Sequence, residues 1–273
     1  MIPKTFNFIY LYDEKNVMSL NINHYICVKS HLLNNVGSKA KIITNNPEKF
    51  YEFPWMSKLV CDCVGRIEIE YHERLTNWNG MSIVSPMQES DILRFETLMY
   101  QGGVYCDLDM LSVKALPASY WESETSIQGI EPYSKFLSPR ALGSAFIMVP
   151  YKEGVVNKWM ELILNPYRFY DSEIKKGLYE LPIFRPYRLS KLYPELVTVK
   201  DWFEFFPMYF YYEDVANFFL HEDYKEFSQM TYEVHLWENK TKGLIKYFDE
   251  QYFKEGKTYY AKLGCKVLEE ELK

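Results

Sequence analysis

"SDILRFETLMYQGGVYCDLDML" (90–111) places a helix, a glycine hinge and an acid-bearing strand in one short run. Ser85 upstream is a good N-cap, Pro86 suits the first helical position, and Gly102-Gly103 stops the run, so 85–103 predicts a capped helix. Beyond the glycines, Val104, Cys106 and Leu108 alternate with Tyr105, Asp107 and Asp109. That period of two predicts a strand through 111, apolar on one face and carrying an aromatic and two acids on the other. At about 3.3 Å per residue the two carboxylates would lie roughly 6 to 7 Å apart, close enough to share one cation or diphosphate. Asp91 and Arg94, three residues apart, share one helix face. They read either as an exposed ion pair worth a few tenths of a kcal/mol, or as groups beside whatever the aspartates hold.

Working outward, "KTFNFIYLY" (4–12) predicts a first strand, 17–35 a helix, and "KAKIITNN" (39–46) a second strand, with Pro47 opening a short helix. "SKLVCDCV" (57–64) predicts another strand, 143–150 a further strand and 153–165 a further helix, while 166–230 divides loosely into helices and loops. Alternating strands and helices imply βαβ units and a mainly parallel sheet. In such sheets ligands bind beyond the carboxyl ends of the strands, where Asp107 and Asp109 would emerge.

The chain has 273 residues, of which 48% are hydrophobic, and shows no repeat or clear linker, which suits one domain over 1–273. No run approaches the roughly 18 apolar residues of a membrane helix, and the opening reads as a first strand rather than a leader. Five cysteines make an odd number, and Cys61-Asp62-Cys63 lacks the second pair of a zinc site, so reduced thiols in a cytoplasmic setting are expected. Net charge is −6 without a basic block, which argues against nucleic acid. An anionic substrate would therefore need local positive charge or a metal.

Aspartates at a strand end can simply cap backbone groups. Alternatively, their hard oxygens bind Mn²⁺ or Mg²⁺, which also accepts the phosphate oxygens of a nucleotide and reverses the sign of an acidic pocket. "TYEVHLWENKTKG" (231–243) adds His235 and Trp237, which read either as structural residues or as a third metal ligand and an indole donor to phosphate. Lys240 and Lys242 would then add positive charge at the rim of a segment closing over the ligand.

Three other readings compete. An aspartate-nucleophile phosphatase also has a strand ending in Asp-x-Asp, but Met110 and Leu111 follow where Thr or Val is expected. A glycosidase needs carboxyls flanking the bond, which one strand cannot supply. An inactive nucleotide-sugar-binding module would keep the site without turnover.

The run 90–111 resembles the signature of the DXD-containing sugar transferases of glycosyltransferase family 32, related to the glucosyltransferase domains of large clostridial toxins. The likeness rests on Asp91-x-x-Arg94, the Gly-Gly pair, Tyr105 and Asp107-Leu108-Asp109. "IPKTFNFIYL" (2–11) is similar to the family's first strand, with Tyr10 where tryptophan is common. "ALGSAFIMVPYKEG" (141–154) and "VHLWENK" (234–240) resemble its middle strand and closing segment. The resemblance implies a GT-A-like (Rossmann-like) α/β fold with a mixed, mainly parallel sheet flanked by helices and an α-rich C-terminal part. Residues 1–115 would form the nucleotide-sugar half, and 116–273 the acceptor-side and closing segments. It also implies transfer from a UDP-sugar with Mn²⁺ or Mg²⁺ and retention of configuration. Carried over, Asp109 would bind the metal directly and Asp107 would contact the ribose and the sugar or metal, beside His235 as the candidate third ligand. Asp91 and Arg94 hold sugar hydroxyls, while Tyr10, Tyr105, Trp237 and Lys240 complete the donor contacts. A glycan, lipid-linked glycan or protein would be the acceptor, as in polysaccharide biosynthesis, with peripheral membrane contact left open.

Overall fold

The computed structural model describes residues 1–15, 18–132, 141–165, 180–208 and 212–272. In chain order the strands are β1 (Thr5–Tyr10), β2 (Lys39–Thr44), β3 (Ile67–Tyr71), β4 (Asn77–Trp78), β5 (Met81–Ser82), β6 (Gly103–Cys106), β7 (Met110–Ser112), β8 (Ser126–Ile130), β9 (Leu142–Val149), β10 (Val197–Lys200) and β11 (Glu233–His235). The helices used below are α1 (Ile22–Asn34), α2 (Pro47–Glu52), α3 (Pro54–Asp62), α4 (Pro86–Gln101), α5 (Ala118–Trp121), α6 (Lys158–Leu164), α7 (Arg185–Leu192), α8 (Trp202–Phe205), α9 (Tyr212–Leu220), α10 (Glu238–Ile245), α11 (Glu250–Glu255) and α12 (Tyr259–Glu269).

Seven strands form one sheet in the order β10-β8-β9-β6-β1-β2-β3. β1 runs parallel to β2 and β6, β2 to β3, and β10 to β8, whereas β9 runs antiparallel to both β6 and β8. The sheet is therefore mixed but mainly parallel, and β6, β8 and β1 all end at the same edge. Helices cover both faces, which is why the inner strands are apolar almost throughout. Phe6, Phe8, Val104, Cys106, Phe146 and Met148 face one core with α1, α3, α9 and α12. Ile9, Tyr105, Ile147 and Val149 face a second core with α4, α6 and α7. Each fully buried aliphatic or aromatic side chain contributes about 1.5–3 kcal/mol, so the two cores jointly hold the sheet edge rigid. Among the described residues no helix is long and apolar enough to cross a membrane.

The hinge forms as its sequence predicts. Ser85 Oγ accepts from Gln88 N at 3.3 Å and Pro86 opens α4. Gly102 and Gly103 have φ of +61° and +93°, and an added Cβ would lie 2.7 Å from Tyr151 Cβ at the first and 2.8 Å from Thr5 O at the second. Both the backbone sign and the close approach demand glycine.

Several expectations need correction. Residues 57–64 belong mostly to α3 rather than a strand, because Pro54 starts a helix and Met56, Leu59 and Cys63 recur at helical spacing on its buried side. The strand after the hinge stops at Cys106 instead of continuing through Leu111, since 110–112 pair with β11 in a separate ribbon. The helix expected over 17–35 begins at Ile22, where the Asn21 side chain accepts from Asn23 N. The helix expected over 153–165 begins at Lys158, because Asn157 caps it. β3, β8 and β10 had no strand expectation.

Candidate functional site

The site begins on the inward face of α4. Arg94 is 6% exposed and Asp91 9%, so their pair is buried rather than solvated. Arg94 Nη2 lies 3.0 Å from Asp91 Oδ1, and Nη1 donates to Ser144 O at 3.0 Å and to Ser144 Oγ at 3.1 Å. The same Nη1 stands 3.4 Å from Asp107 Oδ1, and the guanidinium lies over the Tyr105 ring at 4.6 Å. Burial of one planar cation against a ring, a carbonyl, a hydroxyl and two carboxylates uses the whole fork of donors, which lysine could not do.

Asp107 follows β6 directly. Its N–H donates to Ala145 O at 2.9 Å, and its carbonyl accepts from Met110 N at 3.0 Å, closing a turn over Leu108 and Asp109. The turn draws the two acids together, where an extended strand would hold them apart. Tyr105 OH donates to Asp107 Oδ1 at 2.6 Å, which fixes that carboxylate and leaves Oδ2 toward the histidine. β7 then pairs with β11, setting His235 opposite Met110. Leu236 N donates to Asp109 O at 3.0 Å and Glu238 N to Asp109 Oδ2 at 2.8 Å. Thus the segment expected to close over a ligand is already built onto the acidic turn.

One ligand atom each from Asp107, Asp109 and His235 falls within 4.8 Å of the others. His235 Nε2 is 3.2 Å from Asp109 Oδ1 and 4.0 Å from Asp107 Oδ2. Two carboxylate oxygens and one imidazole nitrogen at these separations fit an octahedral divalent ion with metal–oxygen distances near 2.0–2.2 Å, with positions left for phosphate. Without a metal the electrostatics are those of an ion pair. Burial pushes Asp109 up, but His235, the Glu238 N–H and His24 outweigh it and hold the carboxyl down to about 2. Burial lowers His235, yet Asp109, Asp107 and Glu131 raise it overall. Asp91 is pushed up to about 7 by burial and by Asp107, against the pull of Arg94.

The remaining candidates spread out. Trp237 caps α10 in the left-handed region, φ 55°, which an aromatic residue rarely adopts, and its ring centroid lies 4.1 Å from that of His235. Lys240 and Lys242 are exposed on α10. Tyr10 is 2% exposed, packed on Phe50 and Phe53, with its hydroxyl donating to Met18 O at 3.2 Å. A base could stack on it only by displacing those rings. Two residues at the site had no role in the sequence reading: Ser144, which holds Arg94, and Glu131, discussed below. The "GS" within 141–154 hinted at the first; nothing marked the second, because β8 was not foreseen.

If His235 completes the metal site, His235→Ala should weaken Mn²⁺ binding in the presence of UDP at least about tenfold, or roughly 1.4 kcal/mol. Titration of Mn²⁺ by electron paramagnetic resonance reads this directly. Unchanged affinity would return His235 to a structural role beside Trp237.

Residues 29–128 match the family described as "Glycosyltransferase sugar-binding region containing DXD motif". The chain is 22% identical over 271 residues to "Glucan organizing enzyme 1" of Cryptococcus neoformans var. grubii, covering 96% of this chain and 70% of the relative. Among solved structures, the glycosyltransferase GlyE of Streptococcus pneumoniae TIGR4 in its apo form superposes with a TM-score of 0.53 at 10% identity, over 97% of this chain and 63% of that one. The bifunctional glycosyltransferase WbbM superposes with a TM-score of 0.51 at 8% identity, over 99% of this chain and 50% of that one. The last two likenesses are of fold: the mixed, mainly parallel sheet flanked by helices is that of GT-A glycosyltransferases.

Proposed function

We infer that this chain, a DXD-containing glycosyltransferase by its match over residues 29–128, moves a sugar from a nucleoside-diphosphate sugar to a glycan in a metal-dependent, retaining reaction. The observation that carries this reading is the cluster of Asp107, Asp109 and His235 within 4.8 Å at the carboxyl edge of the sheet, next to the buried Arg94–Asp91 pair. A UDP-sugar is the proposed donor and Mn²⁺ or Mg²⁺ the proposed ion. The ion, when bound by those three side chains, would neutralise charge developing on the departing diphosphate.

The chain's own residues do the rest. Arg94 and Asp91 are proposed to serve the sugar hydroxyls together, Arg94 by holding the Asp91 and Asp107 carboxyls in place to receive them. Because Ser144 and Tyr105 already fix Arg94, little reorganisation is needed when the sugar arrives. Trp237 and Lys240, with Lys242, are proposed to face the diphosphate from the β11–α10 side. In a same-face displacement the acceptor hydroxyl attacks the anomeric carbon as the diphosphate leaves, and its proton passes to the departing phosphate oxygen. The aspartyl-phosphatase alternative is less well supported, since its first carboxylate must be a free nucleophile, whereas Asp107 Oδ1 is engaged by Tyr105 and Arg94.

A glycan acceptor is favoured over a protein by the name of the fungal relative, which speaks of glucan. The unpaired cysteines suit a cytoplasmic setting. Incubation with a panel of sugar nucleotides should release free sugar from at least one, most readily a UDP-sugar, when Mn²⁺ or Mg²⁺ is present. Equal activity in excess EDTA would overturn metal dependence.

A further inference from the structure

Glu131 is a buried carboxylate, 6% exposed, at the edge of the sheet where Asp107 also emerges. β8 and β6 both run antiparallel to β9, hence parallel to each other, and Asp107 and Glu131 are the first residues beyond their carboxyl ends. Two strand spacings, about 10 Å, separate those ends. Along that edge β1 and β2 lie on one side of the metal cluster, and β8 lies on the other.

β8 and β9 lose register between Gln128 and Ile130, but the contacts of residues 128–130 still alternate, and that alternation carried one residue on gives the side that Glu131 faces. Gln128 accepts from Trp159 Nε1 at 2.9 Å on the α6 side, and Ile130 packs on that same side. Gly129 faces the opposite side, where an added Cβ would lie 2.8 Å from Phe205 and 3.2 Å from Phe206. Glu131, two residues on and still tied to β9 by its N–H to Ala141 O at 3.2 Å, shares the Gly129 side. That is the side of His235, whose ring centroid is 6.2 Å from that of Phe206. The charges acting on Glu131 are those of His235, Asp107 and Arg94. Among the described residues its carboxylate has no hydrogen-bond or ion-pair partner. Burial at this edge disfavours the charged form and pushes the carboxyl up to about 7. A carboxyl so perturbed, at the strand edge beside the Asp107–Asp109–His235 cluster, is placed to meet a ligand's donor.

We propose that Glu131 contacts the incoming hydroxyl, that of the acceptor or of water during donor hydrolysis, and orients it by accepting its hydrogen bond on the β8 side of the metal cluster. The inference rests on the donor reading above and deepens it. On that reading nucleotide and diphosphate would lie toward β1 and β6 and the sugar beside Arg94 and Ser144, and the next polar group along the edge toward β8 is Glu131. No bond to Glu131 is made or broken; the proton still leaves with the phosphate oxygen.

The test uses whichever UDP-sugar the wild-type protein hydrolyses fastest with Mn²⁺. Glu131→Ala should lower kcat for hydrolysis at least tenfold while leaving the donor KM and the Kd for UDP with Mn²⁺ within twofold. Glu131→Gln keeps an accepting oxygen and the shape, so its kcat should fall at least threefold but stay above that of the alanine variant. The glutamine variant decides the matter if the alanine variant does not fold. Wild-type kcat in the variants, a rise in donor KM with kcat kept, or a parallel loss of UDP affinity would each overturn the proposal. A wild-type chain that hydrolyses no sugar nucleotide would overturn the donor reading itself, and this inference with it, before any variant is made.

Discussion

Replacing Asp109 with asparagine should reduce metal-dependent turnover of a sugar nucleotide by two orders of magnitude or more, while the protein still folds. The carboxylate has two separable jobs. Its oxygen Oδ2 accepts from Glu238 N at 2.8 Å, and its main-chain carbonyl accepts from Leu236 N at 3.0 Å, which together dock β11 and α10. Asparagine keeps an oxygen acceptor and the carbonyl, so the docking survives. The other job is the negative charge that faces His235 Nε2 at 3.2 Å and, in the proposed reaction, the ion. Loss of an anionic ligand removes several kcal/mol of interaction with a divalent ion, and each 1.36 kcal/mol is tenfold in rate. Thermal unfolding and Mn²⁺ affinity measured on the same sample separate the two jobs. Wild-type turnover with wild-type metal affinity would show that Asp109 only caps α10.

The second large effect is expected at Arg94. Arg94→Ala should cost about 3–5 kcal/mol of stability, because Asp91 and Asp107 lose their buried partner. It should also depress turnover more than UDP affinity, since the guanidinium is proposed to face sugar rather than nucleotide. Arg94→Lys discriminates within the site. One ammonium can keep the charge near Asp91 but cannot reach Ser144 and Asp107 and cover Tyr105 at once, so much stability should return without the turnover. Denaturant unfolding and donor-hydrolysis kinetics on both variants read these outcomes. Stability loss with unchanged turnover would make Arg94 a purely structural residue.

These two residues also mark what the sequence made legible. The α4 caps, the glycine pair and the i, i+3 spacing of Asp91 and Arg94 are local signals, and the folded chain uses each of them locally. The break after Cys106 is different. Alternation continues without interruption through Asp109, and only the recruitment of Met110–Ser112 by residues 233–235, far along the chain, turns a strand into a tight turn. Helix α3 misled for a related reason: Leu59, Val60, Cys61 and Cys63 favour either structure, and packing of one face on the core decided it. His235 was visible by its spacing to Trp237, yet its approach to the aspartates depends on that same long-range ribbon. Ser144 and Glu131 reach this edge of the sheet through tertiary placement alone. The one lies on a strand running opposite to its neighbours, and the other at the end of a strand too short and Gly-broken to announce itself.

Metal-dependent donor binding is the point on which the functional reading turns, and calorimetry of UDP binding to the wild-type chain, in Mn²⁺ and in excess EDTA, tests it most directly. At least tenfold tighter binding with Mn²⁺ is expected, because the diphosphate then meets an ion held by Asp107, Asp109 and His235 rather than two bare carboxylates. Equal affinity in the two buffers, or no binding in either, would contradict it.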